Sequence, residues 1–115
     1  MLVLLMSLTG CGPNCQSTCQ RLYGDGVQTV NGEQQEDCGI ERAGRKSNDL
    51  VDTCMEECDD ALDTPGEMGP YDPYTRTGSN ESVDLDNERQ AAIWMQCVAE
   101  TSCDRLTEGY CAPVW

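Results

Sequence analysis

Hydrophobic positions along the chain fall into an apolar N-terminal run and three later stretches with helical spacing, separated by long polar segments. The run MLVLLMSL occupies residues 1–8. It is too short to cross a bilayer as a helix, which needs about 20 apolar residues. A run of this length is typical of the hydrophobic region of a signal peptide, and residues 1–10 are therefore predicted to be one.

The first helical pattern begins just after that run. Cys15, Cys19 and Leu22 recur at helical spacing, and Asn14 before them is a good N-cap residue. Glycines follow in the sequence Gly24-Asp25-Gly26, which is typical of a helix end. The sequence therefore predicts a short helix from about residue 15 to 23.

The next segment, from about residue 24 to 46, is polar and rich in Gly and Gln. It contains Asn31-Gly32, a strong turn signal. Cys38 and Ile40 are the residues expected to hold this segment, which is predicted to be a loop.

Ser47 or Asn48 is predicted to cap a second helix of about 15 residues, which Thr64-Pro65-Gly66 ends. Its apolar positions form one stripe, made of Leu50, Val51, Cys54, Cys58, Ala61 and Leu62. The opposite face is acidic and holds no Lys or Arg; its members are Asp49, Asp52, Glu56, Glu57, Asp59, Asp60 and Asp63. This helix needs tertiary support, because acids near its C-terminus oppose the helix dipole.

Asp84 or Asp86 is predicted to cap a third helix, after a long loop with several prolines. Its inward face consists of Ile93, Trp94, Cys97 and Val98. After it, Cys103 and Cys111 enclose a short stretch that is predicted to be a loop.

Composition shows what must stabilise these helices. The chain has 115 residues, enough for one domain, with 38% hydrophobic residues, no phenylalanine and nine cysteines. So thin a core leaves a fold of this size marginal, and the cysteine density is close to that of disulfide scaffolds. Structural zinc is disfavoured because the chain has no histidine and no Cys-x-x-Cys pair. The net charge of the chain is -14. We predict a mainly α, disulfide-stapled fold: a helical hairpin plus a third helix, with long irregular loops.

Two of the predicted helices carry a Cys-x3-Cys spacing. Cysteines four apart lie on one helix face with nearly parallel side chains, so they reach a facing helix more easily than each other. An antiparallel hairpin pairs Cys15 with Cys58 and Cys19 with Cys54, whereas a parallel one exchanges the partners. We favour the antiparallel arrangement because it buries both stripes with a simple return path.

The twin spacing is similar to that of stapled helical-hairpin proteins, which include small mitochondrial intermembrane chaperones and plant hairpin peptides. The resemblance implies the hairpin and no function. Among the remaining cysteines, Cys103 with Cys111 is a plausible local bridge, and Cys38 with Cys97 would then join the loop to the third helix.

The residues Leu8-Thr9-Gly10-Cys11 resemble the lipobox of bacterial lipoproteins. The resemblance implies that a signal peptidase cuts before Cys11, that diacylglycerol is attached to its sulfur, and that a further acyl chain such as palmitate joins the new N-terminus. Such leaders usually open with Lys or Arg, and none precedes Arg21 here, which leaves room for a start upstream of Met1. Gly12 in place of Asp is similar to the family pattern for transfer to the outer membrane rather than retention in the inner one.

Cysteine parity agrees with a lipid on Cys11, because an odd thiol in an oxidising compartment needs an explanation. Assigning Cys11 to the lipid leaves eight cysteines, enough for four bridges. The predicted organisation is a signal peptide at 1–10, a lipidated tether at 11–13 and one cysteine-rich helical domain at 14–115. Its predicted partners are the membrane, through the lipid, and a cationic or protein partner at the bacterial envelope.

The sequence also allows other interpretations of the N-terminus and of the function. Residues 1–10 could form a buried apolar segment with Cys11 as an ordinary half-cystine, as in a soluble secreted inhibitor or toxin-like protein. An envelope hydrolase that uses carboxylates is a third and weaker interpretation.

The candidate sites are few. No histidine is present to act as a base, every cysteine has a better use, and paired carboxylates cannot be located without a cleft, so no catalysis and no cofactor are predicted. The charge opposes nucleic-acid binding.

The acidic helix face could bind Ca²⁺ or a cationic partner, but solvation explains it better. Asp84-Leu85-Asp86-Asn87-Glu88 resembles the start of an EF-hand loop yet lacks its later residues, so a helix cap is the better interpretation and no metal site is predicted. Asn80-Glu81-Ser82 matches a glycosylation sequon, and we interpret the match as accidental. Tyr71 and Tyr74 are predicted to be mainly packing residues of the loop.

Overall fold

A computed structural model describes residues 13–24, 26–30, 33–41, 46–76 and 83–113. Over these residues the chain is mainly helical, as predicted, with four helices and one antiparallel pair of strands. The elements in chain order are α1 (Cys15–Tyr23), β1 (Val27–Val30), β2 (Glu33–Glu36), α2 (Ser47–Leu62), α3 (Glu88–Glu100) and α4 (Cys103–Glu108).

Helix α1 begins and ends where its sequence predicts. The Asn14 side chain accepts a hydrogen bond from the Ser17 backbone amide, and the Ser17 hydroxyl accepts one from the Asn14 amide. This reciprocal cap satisfies amide groups that the first turn would otherwise leave unpaired. Leu22 and Tyr23 on the inner face are almost completely buried.

Helix α2 has 16 residues, but its predicted cap is wrong. The N-cap position is Lys46, which makes no side-chain capping bond, and Ser47 is the first helical residue. The Ser47 hydroxyl instead donates to the Tyr23 carbonyl at 2.6 Å, so it joins the start of α2 to the end of α1. Asn48 is an exposed residue of the first turn.

The apolar stripe of α2 is narrower than predicted. Leu50, Cys54, Cys58 and Ala61 are buried, whereas Val51 is only half-buried. Leu62, the last residue of the helix, is 40% exposed. The buried face of α2 is therefore a single row of side chains at i, i+4, i+8 and i+11.

Two disulfides join α1 to α2 in the predicted antiparallel pairing. Cys15 bonds Cys58 and Cys19 bonds Cys54, and in each pair the Cα atoms lie 5.8 Å apart. This separation is near the usual value for a disulfide, so the two helices are close enough to be cross-linked without backbone movement.

The predicted loop from 24 to 46 is partly wrong, because it contains the antiparallel strands β1 and β2. Val27 pairs with Glu36 and Val30 pairs with Glu33, so the predicted Asn31-Gly32 turn falls between the strands, on residues outside those described. A two-residue Asn-Gly connection is a strong hairpin signal, and the β-branched residues of Val27–Val30 favour a strand. The polar composition of the segment obscured this pattern. Ile40 is buried, as expected of a residue that holds this segment.

The N-cap of helix α3 lies one residue after Asp86, the second of the two predicted caps. Asp84 and Asp86 are exposed, and Asn87 is the N-cap residue. The Asn87 Oδ1 atom accepts from the amides of Arg89 and Gln90, while its Nδ2 atom donates to the Glu67 carbonyl. An amide can accept and donate at once, which an ionised carboxylate cannot, and this explains why asparagine holds the position. On the inward face Trp94, Cys97 and Val98 are fully buried, whereas Ile93 is half-buried.

The stretch between Cys103 and Cys111 is a helix and not the predicted loop. Ser102 caps α4, and Gly109 ends it with a left-handed φ of 113°, a conformation that favours glycine. Helix α4 begins at Cys103, and Cys111 lies three residues beyond its last residue, Glu108.

The two predicted bridges outside the hairpin are wrong, because their four cysteines are paired differently. Cys38 bonds Cys103, with 5.3 Å between Cα atoms, and Cys97 bonds Cys111, with 5.7 Å. The first bridge joins the segment after β2 to the start of α4. The second joins α3 to the segment after α4, where the Cys111 amide donates to the Pro73 carbonyl.

Candidate functional site

The candidate lipidation residue, Cys11, and the predicted signal peptide lie outside the described residues. The other eight cysteines all lie within them and form four disulfides. The sequon at 80–82 also falls on residues that the structure does not describe.

The buried side chain of Arg21 is a polar centre that the sequence analysis missed. Its Nε donates to the Val98 carbonyl at 3.1 Å, Nη2 to Thr101 at 2.8 Å and Nη1 to Glu36 at 2.7 Å. Burial lowers the pKa of Arg21, and the nearby carboxylate of Asp37 partly opposes that effect. The guanidinium joins α1, the end of β2 and the C-terminal end of α3, where its charge also complements the helix dipole. With its nitrogens occupied by carbonyls, its role is structural.

The acidic face of α2 is the most highly charged surface among the described elements. Six of its carboxylates are exposed and Glu57 is half-buried; the six are Asp49, Asp52, Glu56, Asp59, Asp60 and Asp63. Within the described ranges, the side-chain ion pair at 3.9 Å joins Arg89 to Glu67, away from this face. The carboxylates therefore face solvent, as the sequence analysis favoured.

No arrangement that could hold a metal ion occurs among the described residues, where no three or more His, Cys, Asp or Glu side chains converge. In the EF-hand-like stretch, Leu85 is buried and Asn87 uses its side chain as a helix cap. This stretch is the start of a helix, as predicted.

The loop tyrosines have different environments. Tyr71 is half-buried, and its hydroxyl donates to the Ala112 carbonyl at 2.5 Å. Burial, with a smaller contribution from Asp72, raises the pKa of the Tyr71 phenol well above its usual range. Tyr74 is 44% exposed and donates to Glu100 Oε1 at 3.1 Å. Tyr71 is thus a packing residue, whereas Tyr74 lies at the surface.

The C-terminal segment is a second feature that sequence reasoning missed. The Trp94 indole Nε1 donates to the carbonyls of Cys111 and Pro113, at 3.0 and 3.1 Å. Together with Tyr71, it fixes residues 111–113 against α3. The sequence signal was Trp94 itself, because a buried indole nitrogen needs an acceptor.

Comparison with known proteins gives no relative from which a role could be transferred: no family model, curated protein or solved structure matches the chain. Among the described helices, none is both long and apolar enough to cross a bilayer.

Proposed function

We propose that the protein is a bacterial envelope lipoprotein, in which acyl chains on Cys11 hold a disulfide-stapled helical domain at a membrane surface. The observation that carries the proposal is the pairing of cysteines. The four disulfides use all eight cysteines after Cys11, so none of them is left as a partner for it. Cys11 is then the odd thiol of the chain, and it lies in the sequence Leu8-Thr9-Gly10-Cys11, which resembles a lipobox.

The lipid would attach the domain to the membrane. Each buried CH2 contributes about 0.8 kcal/mol, and several chains together make the attachment effectively permanent. The net charge of -14 would keep the domain itself off anionic headgroups. Gly12 after the cysteine favours the outer membrane as the destination.

The domain would have a binding or structural role. Its stapled helices form a rigid support, and α2 presents carboxylates to solvent along its length. A cationic or protein partner at the envelope is compatible with this surface, whereas nucleic acid is not, because phosphate contacts need clustered Lys and Arg.

The test is metabolic labelling with palmitate, combined with detergent partitioning. The wild type should incorporate label and enter the detergent phase, and Cys11→Ser should lose both properties. Cys38→Ser/Cys103→Ser is the matched control: it removes two cysteines and one bridge but should still be labelled. A Cys11→Ser protein that stays equally membrane-bound would contradict the proposal.

The same experiment separates the second interpretation, a soluble secreted inhibitor or toxin-like protein. Four disulfides fit that class as well, since it too occupies an oxidising compartment. Unlabelled wild-type protein in the medium would favour it.

A further inference from the structure

The four disulfides differ in their access to solvent. Cys19, Cys54, Cys58, Cys97 and Cys111 are 0% exposed, and Cys15 is 5% exposed. Three bridges are therefore enclosed by the core. Cys38 and Cys103 are both only half-buried, so their bridge is the one that a reagent in solution can reach.

We propose that the Cys38–Cys103 disulfide is a thiol-exchange site, which a dithiol reductant opens while the other three bridges stay closed, and that its opening frees α4. Exchange requires a thiolate to reach a disulfide sulfur, so access decides which bridge reacts first. The proposal does not depend on a lipid at Cys11.

The reaction is a two-electron exchange. One thiolate of the dithiol attacks Sγ of Cys38 or Cys103, forms a mixed disulfide and expels the other sulfur as a thiolate. The second thiol of the reductant, as its thiolate, then attacks the mixed disulfide and expels the remaining protein sulfur. The dithiol becomes a cyclic disulfide, and its two protons pass to the two protein thiols, by way of water.

The segment on the Cys38 side stays in place after the bridge opens. The Cys38 amide donates to the Arg21 carbonyl at 2.6 Å, and the Ile40 amide donates to Leu22 at 2.9 Å. Arg21 holds the Glu36 carbonyl as well. None of these bonds involves sulfur, and the two bridges between α1 and α2 are buried in the core.

The Cys103 side is held more weakly. Helix α4 is six residues long, and Leu106 is its one fully buried side chain. An exposed hydrogen bond from Arg76 Nε holds the carbonyl of Glu108, the last residue of the helix. Beyond the helix, the Cys97–Cys111 bridge and the bonds from Trp94 and Tyr71 hold residues 111–113.

Opening the Cys38–Cys103 bridge removes the cross-link between the start of α4 and the segment after β2. The chain stays held at Thr101 and at residues 111–113, on either side of the helix, so α4 is freed to unfold locally while the rest stays folded.

The experiment uses the oxidised full chain with Cys11→Ser, so that no free thiol of the protein competes. Dithiothreitol, a neutral dithiol, is added without denaturant, and samples are quenched with N-ethylmaleimide for peptide mapping. We expect the first product to carry two maleimide groups, on Cys38 and Cys103. It should form at least about tenfold faster than any other labelled species, since the enclosed bridges require local unfolding. Another pair labelled first, or all eight cysteines labelled in one step, would overturn the proposal.

Two further measurements test the assignment of the fast phase and the release of α4. In Cys38→Ser/Cys103→Ser the fast phase should vanish and the slow phases should remain; a surviving fast phase would refute the assignment. Hydrogen exchange of the selectively reduced protein reports on α4 through the amides of Leu106 and Tyr110, which donate to Ser102 and Arg105. These two amides should lose protection while amides of α1 and α2 keep theirs. Unchanged protection at Leu106 and Tyr110 would rule out release of α4.

Discussion

At the scale of single residues, Thr18 is unusual because its side-chain hydroxyl is buried without a hydrogen-bond partner among the described residues. It is 3% exposed, and its Oγ1 atom is the buried side-chain oxygen without a partner among the described residues. Burying an unpaired hydroxyl costs free energy. Valine has nearly the same shape and a similar helix propensity. We therefore expect Thr18→Val to raise the free energy of unfolding by about 1 kcal/mol, measured by urea denaturation of the oxidised protein.

Thr18→Ser is the matched control, because it keeps the hydroxyl and removes the methyl group. It should lower the free energy of unfolding, since a buried methyl is lost and the unpaired oxygen remains. A loss of stability in Thr18→Val as large as in Thr18→Ser would show that the hydroxyl has a partner.

Residues whose role depends on near neighbours could be predicted from the sequence, and the others could not. Asn14 caps α1 by bonding to Ser17, three positions away, so a local signal sufficed. Arg21 bonds to Val98 and Thr101, which are 77 and 80 positions away. Nothing near Arg21 in the sequence indicates those acceptors, and a lone arginine is normally expected at the surface.

At the scale of elements, the start of α3 allows two similar caps to be compared. Asn87 makes both capping bonds and contacts Glu67, whereas Asp86 beside it is exposed. We expect Asn87→Ala to lower the free energy of unfolding by about 1 to 2 kcal/mol, because two amides and one carbonyl lose their partner. Thermal unfolding followed by circular dichroism measures the change.

Asp86→Ala and Asp84→Ala are the controls for this cap. Each removes a carboxylate that the sequence predicted as the N-cap, but neither should change stability by more than about 0.5 kcal/mol. Asn87→Asp keeps the acceptor and loses the donor to Glu67, so it should fall between wild type and Asn87→Ala. Equal effects of Asp86→Ala and Asn87→Ala would contradict the observed cap.

The elements also show which patterns the sequence could reveal. The twin Cys-x3-Cys spacing predicted the α1–α2 hairpin, because four residues make about one helical turn and fix the face of each sulfur. Helix α4 was missed because six residues are too few for a periodic pattern, although Ser102 and Gly109 mark its ends. Missing it led directly to the wrong partners for Cys103 and Cys111.

At the scale of the whole molecule, the Cys15–Cys58 bridge determines which part of the domain lies near the proposed lipid anchor on Cys11. Cys11 precedes Cys15 by four residues, which span at most about 14 Å. Cys15 is bonded to Cys58 near the C-terminal end of α2, where Asp59 and Asp60 are exposed. A lipid on Cys11 would thus place this acidic end of α2 next to the membrane. Asp49, ten residues before Asp59, would lie about 15 Å farther along the helix.

This arrangement predicts that charge at one end of α2 controls how closely the lipidated protein approaches an anionic membrane. Repulsion acts over the Debye length, about 8 Å at 0.15 M salt, so the near end should dominate. In anionic vesicles, Asp59→Asn/Asp60→Asn should increase energy transfer from tryptophan to a headgroup-bound dansyl acceptor more than Asp49→Asn/Asp52→Asn does. The difference should vanish in 1 M salt and in zwitterionic vesicles. Equal effects of the two variants would mean that the C-terminal end of α2 does not face the membrane, and would count against attachment through Cys11.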